Sequence, residues 1–386
     1  HNISRSQIFE AYADFKDTWG IHSLNALAGY SWQNNFFSSR SITYYNETNL
    51  PNLNPGETVD SRYLTFRNEN YLVSFYGRIN YSIDSRYVFT FTARADGSSK
   101  FAKDYRWGFF PSGAFAGYLA QAPVMQPSKA VSTLKLRLSA GVTGQQDGIG
   151  DYVHLARYNI TSNPSYLYNM GNSDYVYPVT PLAYDPTIRW ETTITYNIGI
   201  DYGFFNDRLS GSIDAYLADT KDLLNSVQVP MGSNFGNKLT TNVGSLRNKG
   251  LEFSISAIPV QKPGLSVQVG FNGTFQNTVF TKLNPTEDKG YYIEVGNISK
   301  GTGGYLSRQM TGYSPYTYYL YQQKYDSTGH PIQNEFVDRD GDGSITENDR
   351  YMTGKSPSPK FFYGLNMKVT YMNWDFGLNG HGAAGT

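Results

Sequence analysis

The amino-acid sequence predicts an all-β protein, a partial antiparallel transmembrane β-barrel with long extracellular loops and short periplasmic turns. Three observations lead to this prediction. Apolar and polar residues alternate with a period of two along the whole chain. The alternating segments are about 10 to 16 residues long, whereas most strands have roughly 5 to 6. The connections between the segments are alternately short and long, as they are in outer-membrane barrels.

The alternation is clearest in the segment 188–204. Its apolar residues are Ile194, Tyr196, Ile198, Ile200, Tyr202 and Phe204, and between them lie Thr195, Asn197, Gly199, Asp201 and Gly203. Successive side chains of a strand point to opposite faces of the sheet. One face of this strand therefore suits lipid, and the other, which is small and polar, suits a water-filled lumen.

The same pattern places about 12 strands in residues 1–386, which we interpret as one partial barrel domain. The strands are predicted near 6–16, 22–33, 70–82, 86–96, 107–119, 133–144, 188–204, 208–218, 248–259, 264–276, 361–371 and 374–386. Short links are predicted at 16–21, 83–85, 120–132, 205–207, 260–263 and 372–373, and long ones at 34–69, 97–106, 145–187, 220–247 and 277–360. One short helix is predicted near 118–125, where Pro123 limits its length.

Aromatic residues cluster where the predicted strands end. Tyr81 and Tyr87 flank one tight turn, and Tyr371 and Trp374 flank another. Tyrosine and phenylalanine are good strand formers wherever they occur, which is one explanation. Their recurrence beside the short turns favours the other, an aromatic girdle at a membrane interface.

The composition excludes several classes of protein. The 32 Lys+Arg balance the 32 Asp+Glu, and a nucleic-acid-binding protein would need a basic surplus or stripe. Because the chain has no Cys, it has no disulfide and no thiolate metal site. Charged residues make up 17% of the chain, well below the roughly 25% of soluble domains. No apolar run approaches the ~18 residues of a transmembrane helix.

Several blocks of the sequence, in the same order, resemble the SusC/RagA family of TonB-dependent outer-membrane transporters. The most distinctive block is Ala93-Arg94-Ala95-Asp96-Gly97-Ser98-Ser99-Lys100-Phe101, followed by Arg106-Trp107-Gly108-Phe109-Phe110-Pro111-Ser112. The others are Trp19–Leu24, Leu27–Tyr30, Tyr76–Tyr81, Leu134–Arg137, Gly141–Gln146, Asn248–Glu252 and the stretch from Asp338 through Gly354 to Phe361. Together these blocks span nearly the whole chain.

The resemblance implies more than the residue pattern does. It implies a barrel of about 22 strands filled by a plug, a size at which lumens are occupied rather than open. We therefore interpret the chain as a fragment whose plug, TonB-engaging segment and last strands lie outside it. The resemblance further implies a multi-pass protein of the cell outer membrane that imports nutrients, glycans or peptides. Its implied partners are TonB and a SusD-like surface lipoprotein, and it has no catalytic residues and requires no cofactor.

An acidic segment near the C-terminus has the spacing of a calcium-binding loop. Asp338, Asp340 and Asp342 occupy its positions 1, 3 and 5, Ser344 supplies a backbone carbonyl at position 7, and Asp349 stands at position 12. Asp349 replaces the usual bidentate Glu, and no helical pattern flanks the segment. The alternative is an acidic turn held by its own hydrogen bonds, with no ion. If calcium binds here, we expect a structural role for it.

The link 145–187 is rich in tyrosines interleaved with Asn and Asp. Those singled out as possible substrate contacts are Tyr166, Tyr168, Tyr175 and Tyr177. Aromatic rings beside amides can stack on sugars and hydrogen-bond their hydroxyls. The same residues could instead pack the link against itself or against a neighbouring subunit. Within this link, Gly148-Ile149-Gly150 is too short for a dinucleotide-binding motif and is interpreted as flexible loop.

Two other classes of function remain open at this point. One is a passive porin or an adhesin, which would have a barrel without a plug. The other is a soluble secreted all-β binding module, which would not need detergent. An enzyme is disfavoured, because the chain has no Gly-x-Ser-x-Gly elbow, no phosphate-binding loop and no zinc-type histidine spacing.

Overall fold

The structure is a computed structural model of an all-β protein. It describes residues 2–45, 60–121, 130–160, 168–171, 175–176, 179–228, 232, 234, 238–284, 290–297 and 304–385. Twelve strands form one antiparallel sheet in which each strand is hydrogen-bonded to the next along the chain. The strands are β1 (Asn2–Trp19), β2 (His22–Tyr45), β3 (Asp60–Ile83), β4 (Tyr87–Ser98), β5 (Trp107–Tyr118), β6 (Val131–Gln145), β7 (Glu191–Phe204), β8 (Leu209–Lys221), β9 (Ser245–Lys262), β10 (Leu265–Lys282), β11 (Phe361–Tyr371) and β12 (Trp374–Ala384). The sequence predicts about 12 strands, and the described residues contain this twelve-stranded antiparallel sheet, which does not close into a barrel.

The register of the sheet places most apolar residues of its strands on one face, which we call the apolar face. Ile198 on β7 lies opposite Leu138 on β6 and Ala215 on β8. Residues directly opposite each other share a face, so the alternation seen in single strands adds up across the sheet. The intervening residues, such as Arg137 and Asp201, form the polar face. The prediction of one apolar and one polar side is thus confirmed.

Large side chains of the apolar face are open to solvent. Phe91 is 58% exposed, Ile198 is 52% exposed and Phe376 is 58% exposed. The twelve long strands therefore form one continuous sheet. They do not form the two stacked sheets with a dry interior that a soluble β-sandwich would need. An exposed apolar face of this extent is typical of strands that contact lipid.

Aromatic rings form two rows on this face. Near the outer ends of the strands, the ring centroids of Phe9 and Tyr30 lie 6.4 Å apart, those of Tyr30 and Phe75 lie 5.3 Å apart, and Trp107 continues the row. Near the turns, His22 stacks between Trp19 and Tyr81. From Tyr30 to His22, β2 rises roughly 26 Å at about 3.3 Å per residue, close to the ~25 Å band between the girdles of membrane barrels.

The connections emerge alternately at the two ends of the sheet. At one end lie the turn links, residues 20–21, 84–86, 119–130, 205–208, 263–264 and 372–373. At the other end lie the outward links, residues 46–59, 99–106, 146–190, 222–244 and 283–360. The links thus alternate between the two ends of the sheet, as predicted. Their lengths do not alternate throughout, because the turn link 119–130 is longer than the outward link 99–106.

The second and third strands are longer than the pattern predicted. Residues 34–45 and 60–69 were expected to be loop, but they pair continuously from Asn34 with Tyr71 to Tyr45 with Asp60. This part of the hairpin extends beyond β4, whose last residue Ser98 pairs with Leu72. Its strands carry serines, asparagines and arginines without apolar alternation. Backbone pairing does not need an apolar face in water, so the periodicity could not reveal it.

The outward links contain small sheets of their own, whereas the sequence predicts loops there. The link 146–190 holds the pairs Arg157–Ile160 with Val179–Leu182 and Tyr168–Asn169 with Tyr175–Val176, and the link 222–244 holds Leu224–Gln228 with Lys238–Asn242. The link 283–360 holds a four-stranded sheet of Tyr292–Asn297, Tyr305–Met310, Thr317–Tyr321 and Arg350–Met352, and the hairpin Gln323–Tyr325 with Pro331–Phe336.

Within the described residues, helical structure is limited to short 3₁₀ turns. They are Lys103–Tyr105, Leu119–Gln121 and Glu347–Asp349. The helix predicted near 118–125 is therefore wrong for residues 118–121, which form only one 3₁₀ turn. Residues 122–129 lie outside the described residues. Among the residues that the structure describes, no helix is both long and apolar enough to span a membrane.

Candidate functional site: the polar face and the outward links

The polar face of the sheet carries an ion cluster centred on Arg137. Its Nε donates to both carboxylate oxygens of Asp201 at 3.0 Å, and its Nη2 donates to Asp201 Oδ1 at 2.7 Å and to Asp214 Oδ2 at 2.9 Å. Lys135 Nζ lies 3.8 Å from Asp201 Oδ2. The planar fork of the guanidinium thus joins three neighbouring strands, β6, β7 and β8, through charge-assisted bonds. Both carboxylates are engaged by this pairing.

A smaller hydrogen-bonded group repeats this arrangement on the same face. Arg94 on β4 binds Asp96 through Nε at 2.7 Å and reaches Ser74 on β3 through Nη2 at 2.9 Å. On the apolar face, beside the outward link 222–244, Arg247 on β9 holds Asp219 on β8 with two bonds of 2.7 and 2.9 Å. Side chains that pair with one another across strands give a wettable wall without leaving buried charges unpaired.

An apolar cluster closes this face at its outer end. Phe110 of β5 lies opposite Arg94, so it points to the polar side of the sheet. Two links pack on Phe110 through Phe101, Ile149, Ile188 and Trp190, all of them buried. Trp190 lies 5.0 Å from Phe101 and 5.3 Å from Phe110 between ring centroids, and its indole N–H donates to the carbonyl of Arg106 at 3.0 Å.

This cluster corrects the interpretation of Gly148-Ile149-Gly150 as flexible loop. Ile149 is 4% exposed and belongs to the cluster. Beside it, the hydroxyl of Tyr152 donates to the carbonyl of Glu69 at 2.9 Å and accepts from its N–H at 3.2 Å. His154 Nδ1 lies 3.0 Å from the carbonyl of Lys100. The start of the link 146–190 is therefore fixed onto β3 and onto the link 99–106.

The tyrosines singled out for substrate contact are placed only in part. Tyr166 and Tyr177 lie outside the described residues. Tyr168 and Tyr175 lie in the two short paired strands of the link, where Tyr175 pairs with Asn169. Tyr168 is 66% exposed, so its ring is open to a ligand. Substrate contact by these residues stays a prediction.

The acidic segment folds as a tight turn in which three carboxylates converge. Ligand oxygens of Asp338, Asp340 and Asp342 lie within 4.8 Å of one another. Asp338 also accepts the N–H groups of Gly341 at 2.7 Å and Gly343 at 2.8 Å. Gly341 has φ +76° and Gly343 has φ +84°, a conformation that glycine adopts without strain. Carboxylate oxygens at this spacing are the ligands that calcium prefers.

Asp349 and Ser344 do not join these three carboxylates in the same way. Asp349 is fully buried, and its two oxygens accept the N–H groups of Arg339 at 2.6 Å and Thr346 at 2.7 Å. Hydrogen bonds from Thr346 and Arg339 lower the pKa of Asp349 below its ordinary value, so the carboxylate is ionised at neutral pH. Ser344 donates its N–H to Asp342 Oδ1 at 2.8 Å. In this conformation Asp349 closes the turn.

The four-stranded sheet of the link 283–360 carries a stack of arginines and tyrosines that the sequence does not predict. The guanidinium of Arg308 lies 3.7 Å from the ring centroid of Tyr292 on one side and 3.6 Å from that of Tyr319 on the other. Arg350 covers Tyr319 again at 4.6 Å and donates to its carbonyl at 2.7 Å. Such cation–π contacts stiffen the four-stranded sheet of the outward link 283–360. Only the folded pairing brings these distant positions together.

A family model described as "TonB dependent receptor-like, beta-barrel" matches residues 2–383. The chain belongs to this family. Its similarity within the family is to the SusC/RagA transporters. It is 42% identical to the TonB-dependent receptor SusC of Bacteroides thetaiotaomicron over 81% of this chain and 31% of that protein. It is 33% identical to the TonB-dependent receptor P3 of Formosa agariphila over 96% of this chain and 38% of that protein. Members of the family are outer-membrane proteins, and they are transporters rather than enzymes.

Solved structures with the same fold include an importer and an outer-membrane transporter. The RagAB peptide importer in its open-open state superimposes with a TM-score of 0.79 at 23% identity, covering 100% of this chain and 41% of that chain. The outer membrane transporter YddB of Escherichia coli gives a TM-score of 0.54 at 9% identity, covering 96% of this chain and 40% of that chain. This chain thus spans less than half the length of the relatives it matches.

Proposed function

We propose that this chain forms part of the barrel wall of a TonB-dependent importer that takes up glycans or peptides across the outer membrane. The observation that carries the proposal is the sheet with one exposed apolar face and one face of paired ions and hydroxyls. The sheet is open, because among the described residues β1 and β12 each have a single neighbour. Lipid cannot satisfy the free backbone groups of such edges, so further strands complete the wall, to about 22 as the family resemblance implies.

The same proposal assigns the partners and the energy source. A plug occupies the lumen, TonB acts on it from the periplasmic side, and a SusD-like lipoprotein covers the outward links. The similarity to SusC and the fold shared with the RagAB importer support these assignments. No covalent chemistry is needed on the wall, and the carboxylates Asp201 and Asp214 are held by Arg137 rather than free to act as an acid and a base.

Uptake by cells that carry the full-length protein tests this proposal. Fluorescent oligosaccharide and peptide pools are offered to cells with the gene, to cells without it and to cells treated with a proton uncoupler. We expect uptake that requires the gene and is abolished by the uncoupler, since TonB transmits the energy of the proton gradient. Uptake that continues in uncoupled cells would mean a passive porin. Surface binding without any uptake would mean an adhesin.

We further propose that the acidic turn binds one calcium ion in a structural role. Asp338, Asp340 and Asp342 offer converging oxygens, and the carbonyl of Ser344 follows at the spacing of a calcium loop. The N–H of Asp342 lowers the pKa of Asp340, but desolvation and the neighbouring carboxylates outweigh it and raise the pKa above its usual value. A divalent cation would relieve this crowding of negative charge.

Limited trypsin digestion of the full-length protein tests the calcium site, because Arg339 lies inside the turn. Calcium at roughly 100 Kd should stabilise the turn by about 2.7 kcal/mol and slow cleavage after Arg339 accordingly. Asp340→Asn should abolish this protection, whereas Asp326→Asn in a neighbouring hairpin should leave it intact. Equal cleavage rates in calcium and in chelator would contradict the proposal.

Calcium binding to the turn should weaken as the pH falls towards the raised pKa of Asp340, since protons and calcium compete for the same oxygens. Calcium titration of the full-length protein at neutral and at mildly acidic pH measures this change. A calcium affinity that does not change with pH would count against Asp340 as a ligand.

A further inference from the structure

Three basic side chains stand together at the outer end of the apolar face, on the neighbouring strands β8 and β9. They are Lys221, Arg247 and Lys249, which we call the basic patch. Arg247 lies opposite Asp219, and Lys249 lies opposite Leu217, an apolar residue of this face. Lys221 follows Asp219 by two residues and therefore points to the same side of the sheet. Cations on a face that is otherwise apolar call for a partner.

The basic patch begins where the large apolar side chains end. On β9, Leu251 is 43% exposed, and Lys249 and Arg247 follow it on the same face. At about 3.3 Å per residue they lie roughly 7 and 13 Å further outward along the strand. Phe275 lies opposite Leu251, and its ring centroid is 4.2 Å from that of Phe361. If lipid covers the apolar face up to these rings, its headgroups reach the height of the basic patch.

The basic patch keeps a surplus of positive charge after its one ion pair is counted. Arg247 donates to the two carboxylate oxygens of Asp219 at 2.7 and 2.9 Å, which uses two of its five N–H groups. Lys221 and Lys249 are exposed, and neither forms an ion pair within the part of the chain that the structure describes. The next carboxylate along the chain, Asp222, is paired at 2.7 Å with a different arginine. Three cations and one carboxylate therefore leave a net charge of +2.

The spacing of the three cations lets them act on one anionic group. Arg247 and Lys249 are two residues apart on one strand, a distance of roughly 7 Å. Lys221 lies diagonally across from Arg247, where facing residues of neighbouring strands are roughly 7 to 8 Å apart. Long, flexible side chains at these distances can converge on a single phosphate, whereas an isolated lysine at a membrane edge only extends into water.

We infer that the basic patch binds the phosphate of a lipid in the outer leaflet. The inference rests on the membrane placement in the proposed function, and it is independent of what the protein imports. Ammonium and guanidinium groups donate charge-assisted hydrogen bonds to phosphate oxygens. The acyl chains of the same lipid lie against Leu251 and Phe275, which continue the face directly below the cations. An acidic protein segment would match the charge but would leave these apolar side chains uncovered.

Native mass spectrometry of the full-length protein in a mild detergent tests the inference, because it counts the lipids that each molecule retains. The probes are a phosphorylated glycolipid (diphosphoryl lipid A), the same glycolipid without its phosphates, and excess inorganic phosphate. We expect the wild type to retain the phosphorylated form in preference to the dephosphorylated one. Lys221→Met/Lys249→Met should bind it about 25-fold more weakly at this site, at roughly fivefold for each lysine near a charged lipid surface, and should retain one lipid fewer.

Two matched variants separate the basic patch from a general loss of charge. Lys221→Arg/Lys249→Arg keeps both cations and should retain the phosphorylated glycolipid as the wild type does. Lys262→Met/Lys368→Met removes two exposed lysines towards the other end of the sheet and should also leave retention at the patch unchanged. Heat-modifiable migration of every variant serves as the folding control.

Each alternative outcome identifies what has failed. A Lys221→Met/Lys249→Met variant that retains as much phosphorylated glycolipid as the wild type overturns the site. Equal retention of the phosphorylated and dephosphorylated forms overturns the role of phosphate, and displacement of the lipid by inorganic phosphate assigns the patch to a free anion instead. None of these results affects the importer proposal. A full-length protein that stays soluble without detergent overturns the membrane placement, and with it the proposed function itself.

Discussion

Replacing Ile198 by lysine in the full-length protein is expected to lower the free energy of unfolding in lipid vesicles by about 2 to 4 kcal/mol. Ile198 lies near the middle of β7 on the apolar face and is half exposed. If lipid covers this face, the ammonium group must enter the hydrocarbon region or distort the bilayer around it. Urea titration in vesicles measures the loss, and the yield of heat-modifiable protein in the outer membrane reports it in cells.

The matched control is the adjacent residue. Asn197→Lys places the same charge on the polar face, where Asn197 lies opposite Ser139 and Tyr216, and should change the stability by no more than about 0.5 kcal/mol. A large loss at Asn197 with none at Ile198 would show that the two faces are assigned the wrong way round. Full tolerance at both positions, in a protein that stays soluble without detergent, would favour the secreted binding module.

Replacing Arg137 by methionine is expected to cost about 2 to 3 kcal/mol, because two carboxylates on the polar face would then lose their main partner. Asp214 is the less exposed of the two, with 13% of its side chain accessible, and only Lys135 would remain near Asp201. This expected loss of stability is at or below the low end of the range for breaking a buried ion pair, because about a third of Arg137 is accessible and water screens the charges. Chemical unfolding of the full-length protein in detergent measures the change.

Two further variants separate the ion cluster from a general loss of packing. Arg247→Met breaks a pair of similar geometry at the outer end of the apolar face, but that arginine is half exposed, so its loss should cost less than about 1 kcal/mol. Adding Asp201→Asn and Asp214→Asn to Arg137→Met should restore most of the lost stability, because the unpaired charges are then removed. Equal losses for Arg137→Met and Arg247→Met would show that the cluster has no special importance.

The twelve-stranded sheet could be predicted from the sequence because the period of two directly records one apolar face and one polar face. β7 shows this well, since every second residue from Ile194 to Phe204 is apolar and the structure places them together. The same logic missed the outer halves of β2 and β3. There β2 and β3 extend past the end of β4, and isolated side-chain contacts, such as that of Phe37 with Phe66, accompany the backbone pairing.

Candidate sites were predictable only where their residues are close in sequence. Asp338, Asp340 and Asp342 converge as expected, because a single turn with two glycines brings them together. The buried role of Asp349 depends on the path of the backbone at Arg339 and Thr346, which spacing does not determine. The contacts of Arg308 with Tyr292 and Tyr319 need strands that lie apart in the chain to meet, and no local pattern encodes that meeting.

The strictly sequential order of the strands has a consequence for how such proteins diversify. Most hairpins are registered by a tight connection at the end opposite the outward links, such as 20–21 or 263–264, so their alignment does not depend on the outward links. The outward links can be lengthened, shortened or exchanged without shifting the strand pairing. One scaffold can thereby be retained while its outer surface changes.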